Sequence, residues 1–287
     1  MDDFSTLIRS EPGCALLSQS GIVQVNGADA EDFLQGQLTQ DIRSIEMHSA
    51  KLSGLSNPKG RLLATPFVYR ADNDDFLLCL PVSIIESVRA HLQKYVMRAK
   101  VTLQVRDDLK IYASWNIEDS LLKQELGSFG LADHCNLRMH ISSDEQLPNH
   151  LRTESGWRLQ KIFHAIPDVF SKTSEHFVAQ MLNLDVLQAV SFNKGCYTGQ
   201  EVIARMQHLG RIKRRMLILK IDQSNSELKI DPGEKLIRGE TVFGEIVSAS
   251  TYAEAIYVLA VVQLDKLENI DLNEIGMHKL PMPYNLD

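Results

Sequence analysis

The chain has 287 residues, 44% of them hydrophobic and 23% charged, a balance that excludes disorder and fibrous structure and fits a folded globular protein. Its formal net charge of −7 excludes the general basic excess of a nucleic-acid binder, so any contact with RNA needs a local basic patch. The start, MDDFSTLIRSEPG, lacks the apolar core of a signal peptide, and no window approaches the roughly 18 apolar residues of a membrane span, which predicts a cytoplasmic protein. Cys14, Cys79, Cys135 and Cys196 form no C-x-x-C pair, as expected in a reducing compartment, and the histidines show no metal-ligand spacing, so no structural metal is expected.

In chain order, GIVQVNG predicts a strand ending in an Asn26-Gly27 turn, and ADAEDFLQGQLTQDI a helix with Asp29 as cap and Phe33, Leu34 and Leu38 on one face. KLSGL and RLLATPFVY are strand-like and flank SNPKG, whose Asn57, Lys59 and Arg61 make a polar, basic turn. FLLCL is a buried strand. Pro81 then opens a helix carrying Val82, Ile85, Val88, Leu92 and Val96. VTLQV and IYASW predict strands, DSLLKQEL a short helix, and a further helix from Glu154 carries Trp157, Leu159, Ile162 and Phe163. Beyond residue 215, RMLILKI, KLIRG, TVFGEIVSAS and IYVLAVVQL predict a small antiparallel barrel or sandwich. The expected class is therefore α+β, with an α+β region over residues 1–208 and a β-rich region over 209–287.

The densest chemistry lies in FNKGCYTGQEVIARMQHLGRIKRR. Thr198 and Glu201 have capping-box spacing, predicting a helix from Gly199 to about Leu209, ended by Gly210. Cys196 would then stand beside a positive helix end with Lys194 close by, a setting that favours the thiolate. Simple packing of Cys196 ahead of a capped helix is the alternative, since no base is identifiable by spacing apart from His208. Gly195 and Gly199 flank the cysteine and permit close backbone approach.

KGCYTGQE resembles the signature of the YgfZ family, folate-binding proteins tied to iron–sulfur cluster maintenance and tRNA modification and related to the aminomethyltransferase T-protein of glycine cleavage. VNGADAEDFLQGQLTQDI, NPKGRL and PMPYNL extend the resemblance over essentially the whole chain. It implies a T-protein-like cloverleaf of two interleaved α+β subdomains plus a C-terminal antiparallel β-barrel, around an opening that receives tetrahydrofolate or a derivative. It further implies a functional block of Lys194, Gly195, Cys196, Tyr197, Gly199, Gln200, Glu201 and Arg205, with Cys196 as the reactive thiol. By the same resemblance Trp157 lies beside bound folate, and Asn57 and Lys59 lie near the cavity; a plain hairpin tip is the other reading of that turn. The implied partners are a reduced folate and iron–sulfur client or assembly proteins, with any effect on tRNA indirect.

Two departures stand out. The acidic pair that serves aminomethyl transfer is replaced by Ala64 and Thr65, which removes the acid–base group that reaction needs. In IFHAIP, Phe163 stands where relatives carry a glutamate for the pterin edge, followed by His164, and Ser20 replaces an aromatic. A pterin buried against Phe163 would leave donors unpaired at about 1–3 kcal/mol each. The alternatives to an accessory role are thus a folate-dependent one-carbon transferase, and an RNA-contacting protein using Arg205, Arg211, Lys213, Arg214 and Arg215. The same cations also suit a folate glutamate tail, or a merely solvated face.

Overall fold

A computed structural model describes residues 12–117, 126–143, 152–209, 212–222 and 230–286. β1 (Gly13–Leu16) and β2 (Ser20–Asn26) diverge at once into different sheets. After α1 (Ala30–Gln35) come β3 (Ala50–Leu52), β4 (Leu55–Ser56), β5 (Leu62–Ala64), β6 (Phe67–Asp72) and β7 (Asp75–Pro81). α2 (Val82–Val96) leads to β8 (Thr102–Val105), β9 (Lys110–Trp115), β10 (Gly127–Gly130) and β11 (Leu137–Ser142). α3 (Glu154–Phe163) and α4 (Gln200–Leu209) precede β12 (Arg214–Asp222), β13 (Lys235–Arg238), β14 (Thr241–Tyr252), β15 (Ala255–Gln263), α5 (Leu264–Leu267) and β16 (Met277–Lys279).

The first sheet has the order β1-β9-β11-β10 and the second β3-β6-β7-β2-β8, all antiparallel. Because β1 pairs with β9, the entire second sheet is inserted between two neighbours of the first, and the two α+β units interleave. The third sheet, β13-β14-β15-β12-β16, curls into a half-barrel, with β-bulges between Leu236 and Ile237 and between Ile246 and Ser248.

Period-two alternation sorts each strand's side chains between cores. In the second sheet Val23, Val25, Leu78 and Leu80 face α1 and α2, whose Phe33, Leu34, Ile84, Val88 and Leu92 cover them. The other face, with Ile22, Leu77 and Cys79, joins the first sheet, α3 and one face of the third sheet in one large core. In β12, Met216 and Ile218 belong to that central core while Leu217 and Leu219 belong to a third one on the opposite face of the sheet. β12 is therefore apolar on both faces from Met216 to Leu219.

The structure corrects several local expectations. The helix after Asn26 stops at Gln35, because the chain turns at Gly36 and Leu38 goes on to bridge with Leu55. Asp29 does not cap it with its side chain; its carboxylate instead accepts the Lys100 N–H at 2.7 Å. Val82 faces solvent and Ile84 takes the expected buried place in α2. The helix expected at DSLLKQEL, over 119–126, lies outside the described residues except for Leu126, and Gly210 and Arg211 lie outside them altogether.

Candidate functional site

The Cys196 loop is built by anchors on both sides of the thiol. On one side the Lys194 ammonium donates to the carbonyls of Gln35, Leu38 and Gln40 at 2.7, 2.7 and 2.8 Å and lies 5.1 Å from the centre of the Tyr197 ring. These three carbonyls come from the turn that follows α1. Gln35 stiffens that turn by donating to Asp41 and accepting from the Ile42 N–H. On the other side the Thr198 N–H donates to the Gly36 carbonyl at 3.1 Å, and the Ser56 hydroxyl donates to the Thr198 carbonyl at 2.7 Å. Between these anchors Cys196 is a free, exposed thiol, while Tyr197 is buried and burial pushes its phenol up to about 12.

Burial lowers Lys194 to about 8, with Asp41 raising it and Arg43 lowering it further. The three carbonyls hold it as an ammonium and leave it no donor for the thiol. Lys194 is thus an anchor of the loop rather than a group aimed at Cys196. The capping box does not form: the Thr198 hydroxyl points to Gln37 Oε1 at 3.5 Å and Glu201 is exposed. Instead Gln200 Oε1 accepts the Tyr197 N–H at 3.2 Å. His208 stands about 12 Å along α4 from its first residue, and no hydrogen bond joins it to the thiol.

The Asn57–Arg61 turn backs this loop. Gly199 has φ +83° and Gly60 φ +69°, both left-handed values that favour glycine. A Cβ on Gly199 would lie 2.5 Å from the Asn57 carbonyl oxygen and 2.5 Å from Ser56 Oγ, and one on Gly60 would lie 2.8 Å from Val202 Cβ. Gly195, by contrast, has no atom within 4 Å of such a Cβ, so it makes no close approach. Asn57 holds the turn: its Oδ1 accepts the Lys59 and Arg61 N–H groups and its Nδ2 donates to Glu175 at 3.2 Å. Asn57 is therefore committed to the turn, and Lys59 is exposed at its tip.

The remaining predicted residues lie elsewhere. Trp157 is buried against Trp115, ring centres 6.3 Å apart, and lines a small cavity of about 40 Å³ with Ser20, Lys161 and Asp168. Phe163 is fully buried, edge-on to Tyr257 at 5.0 Å, so core packing accounts for it. Ala64 and Thr65 are buried too; the Thr65 hydroxyl accepts the Val169 N–H and donates to the Pro167 carbonyl. Glu201 and Arg205 are exposed on α4, as are Lys213 and Arg214 beyond it. Arg215 is not part of a basic patch: it is buried, with its guanidinium 2.7 Å from the Asp185 carboxylate and 3.0 Å from the Gln180 carbonyl.

A larger cavity of about 530 Å³ opens between the units, walled by Gln40, Lys51, Leu131, Asp133, His134 and Tyr284 among others. None of the residues predicted from sequence lines it. Gln40 connects it to the cysteine loop, since its carbonyl receives Lys194 while its side-chain amide donates to the Gln188 carbonyl at 2.7 Å. On the opposite wall the Tyr284 hydroxyl donates to the Ala165 carbonyl at 2.9 Å, and His134 Nε2 donates to the His164 carbonyl at 3.0 Å. His164 is buried, its imidazole pushed below the usual range by that burial, with Nδ1 donating to the Gln160 carbonyl. In the sequence the family-like blocks VNGADAEDFLQGQLTQDI, NLDVLQAVSFNKGCYTGQE and PMPYNL cover Gln40, Gln188 and Tyr284 of this wall; Lys51, Asp133 and His134 carry no site signal.

Among the described residues no three His, Cys, Asp or Glu side chains converge to hold a metal, and no helix is long and apolar enough to cross a membrane. The model of the GCVT N-terminal domain matches residues 6–113. The fold is similar to glycine cleavage system aminomethyltransferase T from Bartonella henselae, with TM-score 0.64 and 14% identity, covering 91% of this chain and 81% of that one. An uncharacterized protein of Haemophilus influenzae is 30% identical over 94% of this chain and 97% of its own length. The tRNA-modifying protein YgfZ of Colwellia psychrerythraea is 32% identical over 74% of this chain and 71% of its own length. Sequence shared with YgfZ over most of both chains leads to one conclusion: the chain belongs to the YgfZ family.

Proposed function

We propose that this chain is a folate-binding accessory protein linked to tRNA modification, acting through Cys196 in support of iron–sulfur cluster assembly or repair. The observation that carries the reading is the exposed Cys196 on a loop fixed by Lys194, Thr198 and Gly199, with no hydrogen bond to its thiol among the described residues. A thiol presented in this way suits transient contact with a partner protein better than turnover on a small substrate. One thiolate does not hold a cluster by itself, as clusters take about four protein ligands. Cys196 is therefore read as a passing ligand or exchanging thiol, and the tRNA effect as indirect, through cluster-containing enzymes.

For folate, the cavity of about 530 Å³ lies within the roughly 300–1,000 Å³ of small-molecule sites. Its walls offer Asp133 as an acceptor for a pterin N–H edge and Lys51 as a cation for a glutamate tail, with Leu52 and Leu131 as apolar surface. The residues fit a reduced folate, which would bring a one-carbon carrier to the wall shared with the cysteine loop. Trp157 is not part of this wall, so the proposed site differs from the one the family resemblance implies. A one-carbon transferase is disfavoured by the buried Ala64 and Thr65, and an RNA-binding stripe loses Arg215 to its ion pair with Asp185.

The test uses cells lacking the protein, with the activity of an iron–sulfur tRNA-modifying enzyme as the readout. Wild type and Lys59→Ala are expected to restore it and Cys196→Ser, at unchanged protein level, is not; restoration by Cys196→Ser ends the thiol reading. Folate binding is measured separately, by tetrahydrofolate titration of wild type and Lys51→Ala.

A further inference from the structure

The basic run at 213–215 does not act as a unit. Lys213 is exposed, Arg215 is buried with Asp185, and Arg214 lines a separate cavity of about 120 Å³ where the half-barrel meets the segment after α3. That cavity is walled by His176, Phe177, Arg214, Lys235, Glu245 and Gln263, among others. Register explains the gathering: Arg214 pairs with Gln263 across β12 and β15, and Lys235 with Glu245 across β13 and β14.

Both carboxylate oxygens of Glu245 are engaged. One carboxylate oxygen takes the Lys235 ammonium at 2.5 Å and the other the His176 ring. It therefore holds both groups in place. Arg214, itself exposed, has no carboxylate partner among the described residues, and it lines the same space together with Gln263. One carboxylate against two permanent cations leaves the cavity net positive and rich in unused donors. The volume exceeds the roughly 10–15 Å³ that one water needs, and a small oxyanion replaces water there with charge-assisted hydrogen bonds.

We infer that this cavity is a binding site for a small phosphate-type oxyanion, free or carried as a phosphomonoester on a small molecule. It shares no lining residue with the large cavity and does not depend on the reading of Cys196. It has one structural tie to the loop that backs the cysteine: the Arg61 guanidinium donates to the His176 carbonyl at 2.6 Å.

The experiment is thermal unfolding of the full chain against inorganic phosphate, with chloride at matched ionic strength as reference. A saturable rise in Tm with phosphate and none with chloride is expected. Arg214→Gln should move the half-saturating concentration at least tenfold upward, and Lys213→Gln, an exposed cation outside the cavity, should leave it unchanged. The Tm of each variant without ligand shows that it folds. A linear, unsaturated rise, such as surface exclusion of phosphate produces, overturns the site. So does an equal shift for both variants. Repeating the titration with glycerol 2-phosphate separates the sources: equal saturation assigns the group to a phosphomonoester, and saturation by inorganic phosphate alone assigns it to the free anion.

Discussion

Two glycines flank Cys196, and the structure uses them differently. Gly199 combines φ +83° with a backbone oxygen 2.5 Å from any added Cβ, whereas nothing meets a Cβ on Gly195. Gly199→Ala is therefore expected to cost about 2 kcal/mol or more in urea unfolding, and Gly195→Ala to stay within about 0.5 kcal/mol of wild type. Equal effects would mean that the two loops do not touch as described. Lys194 supplies a second measurement at this scale. Its folded pKa is lowered from 10.5 to about 8, so above pH 8 the unfolded chain binds the proton that the folded chain has released. Stability from this group thus rises with pH between about 8 and 10.5 and is level below. Subtracting the pH–stability curve of Lys194→Met from that of wild type should leave a difference that grows over that window. A flat difference would show that the carbonyl cage offsets burial completely.

At the scale of elements, β12 is fastened to the chain preceding α4 by the Arg215–Asp185 pair, with both side chains under a tenth exposed. Removing one member strands the other charge, and Arg215→Met is expected to cost about 3–5 kcal/mol by urea unfolding. Adding Asp185→Leu should recover most of it; a double variant as unstable as the single one would deny the coupling. This pair also shows what the sequence conceals. Strongly patterned elements, such as the strand at FLLCL and the helix after Pro81, follow from local periodicity and turn chemistry and lie where expected. Arg215 reads as one more cation in a basic run because its partner lies 30 positions away. Lys194 is hidden for a sharper reason: its partners are carbonyls 154 to 159 positions distant, and every residue type carries a carbonyl. The turn after α1 misleads too, since QGQLTQD looks like continuing helix until Gly36 ends it and glutamine side chains take over the backbone groups.

For the molecule as a whole, interleaving places pieces from distant parts of the chain around one space. The large cavity takes Lys51 from the second sheet, Asp133 and His134 from the turn between β10 and β11, Gln188 from the segment before α4, and Tyr284 from beyond β16. An occupant touching all of these ties the units together, so its binding free energy adds to the stability of the whole chain. At a ligand concentration of 100 times Kd the gain is about 2.7 kcal/mol. With tetrahydrofolate bound, hydrogen exchange is therefore expected to slow together at 50–52, 131–134 and 186–188, segments distant in sequence that all line this cavity. The small cavity beside Trp157 makes the opposite forecast, with protection confined to α3 and the strands beneath it and none at 131–134. The pattern of protection thus decides where a folate sits without a bound structure. Protection near Trp157 alone would return the site to the position implied by the family resemblance and leave the large cavity for another ligand.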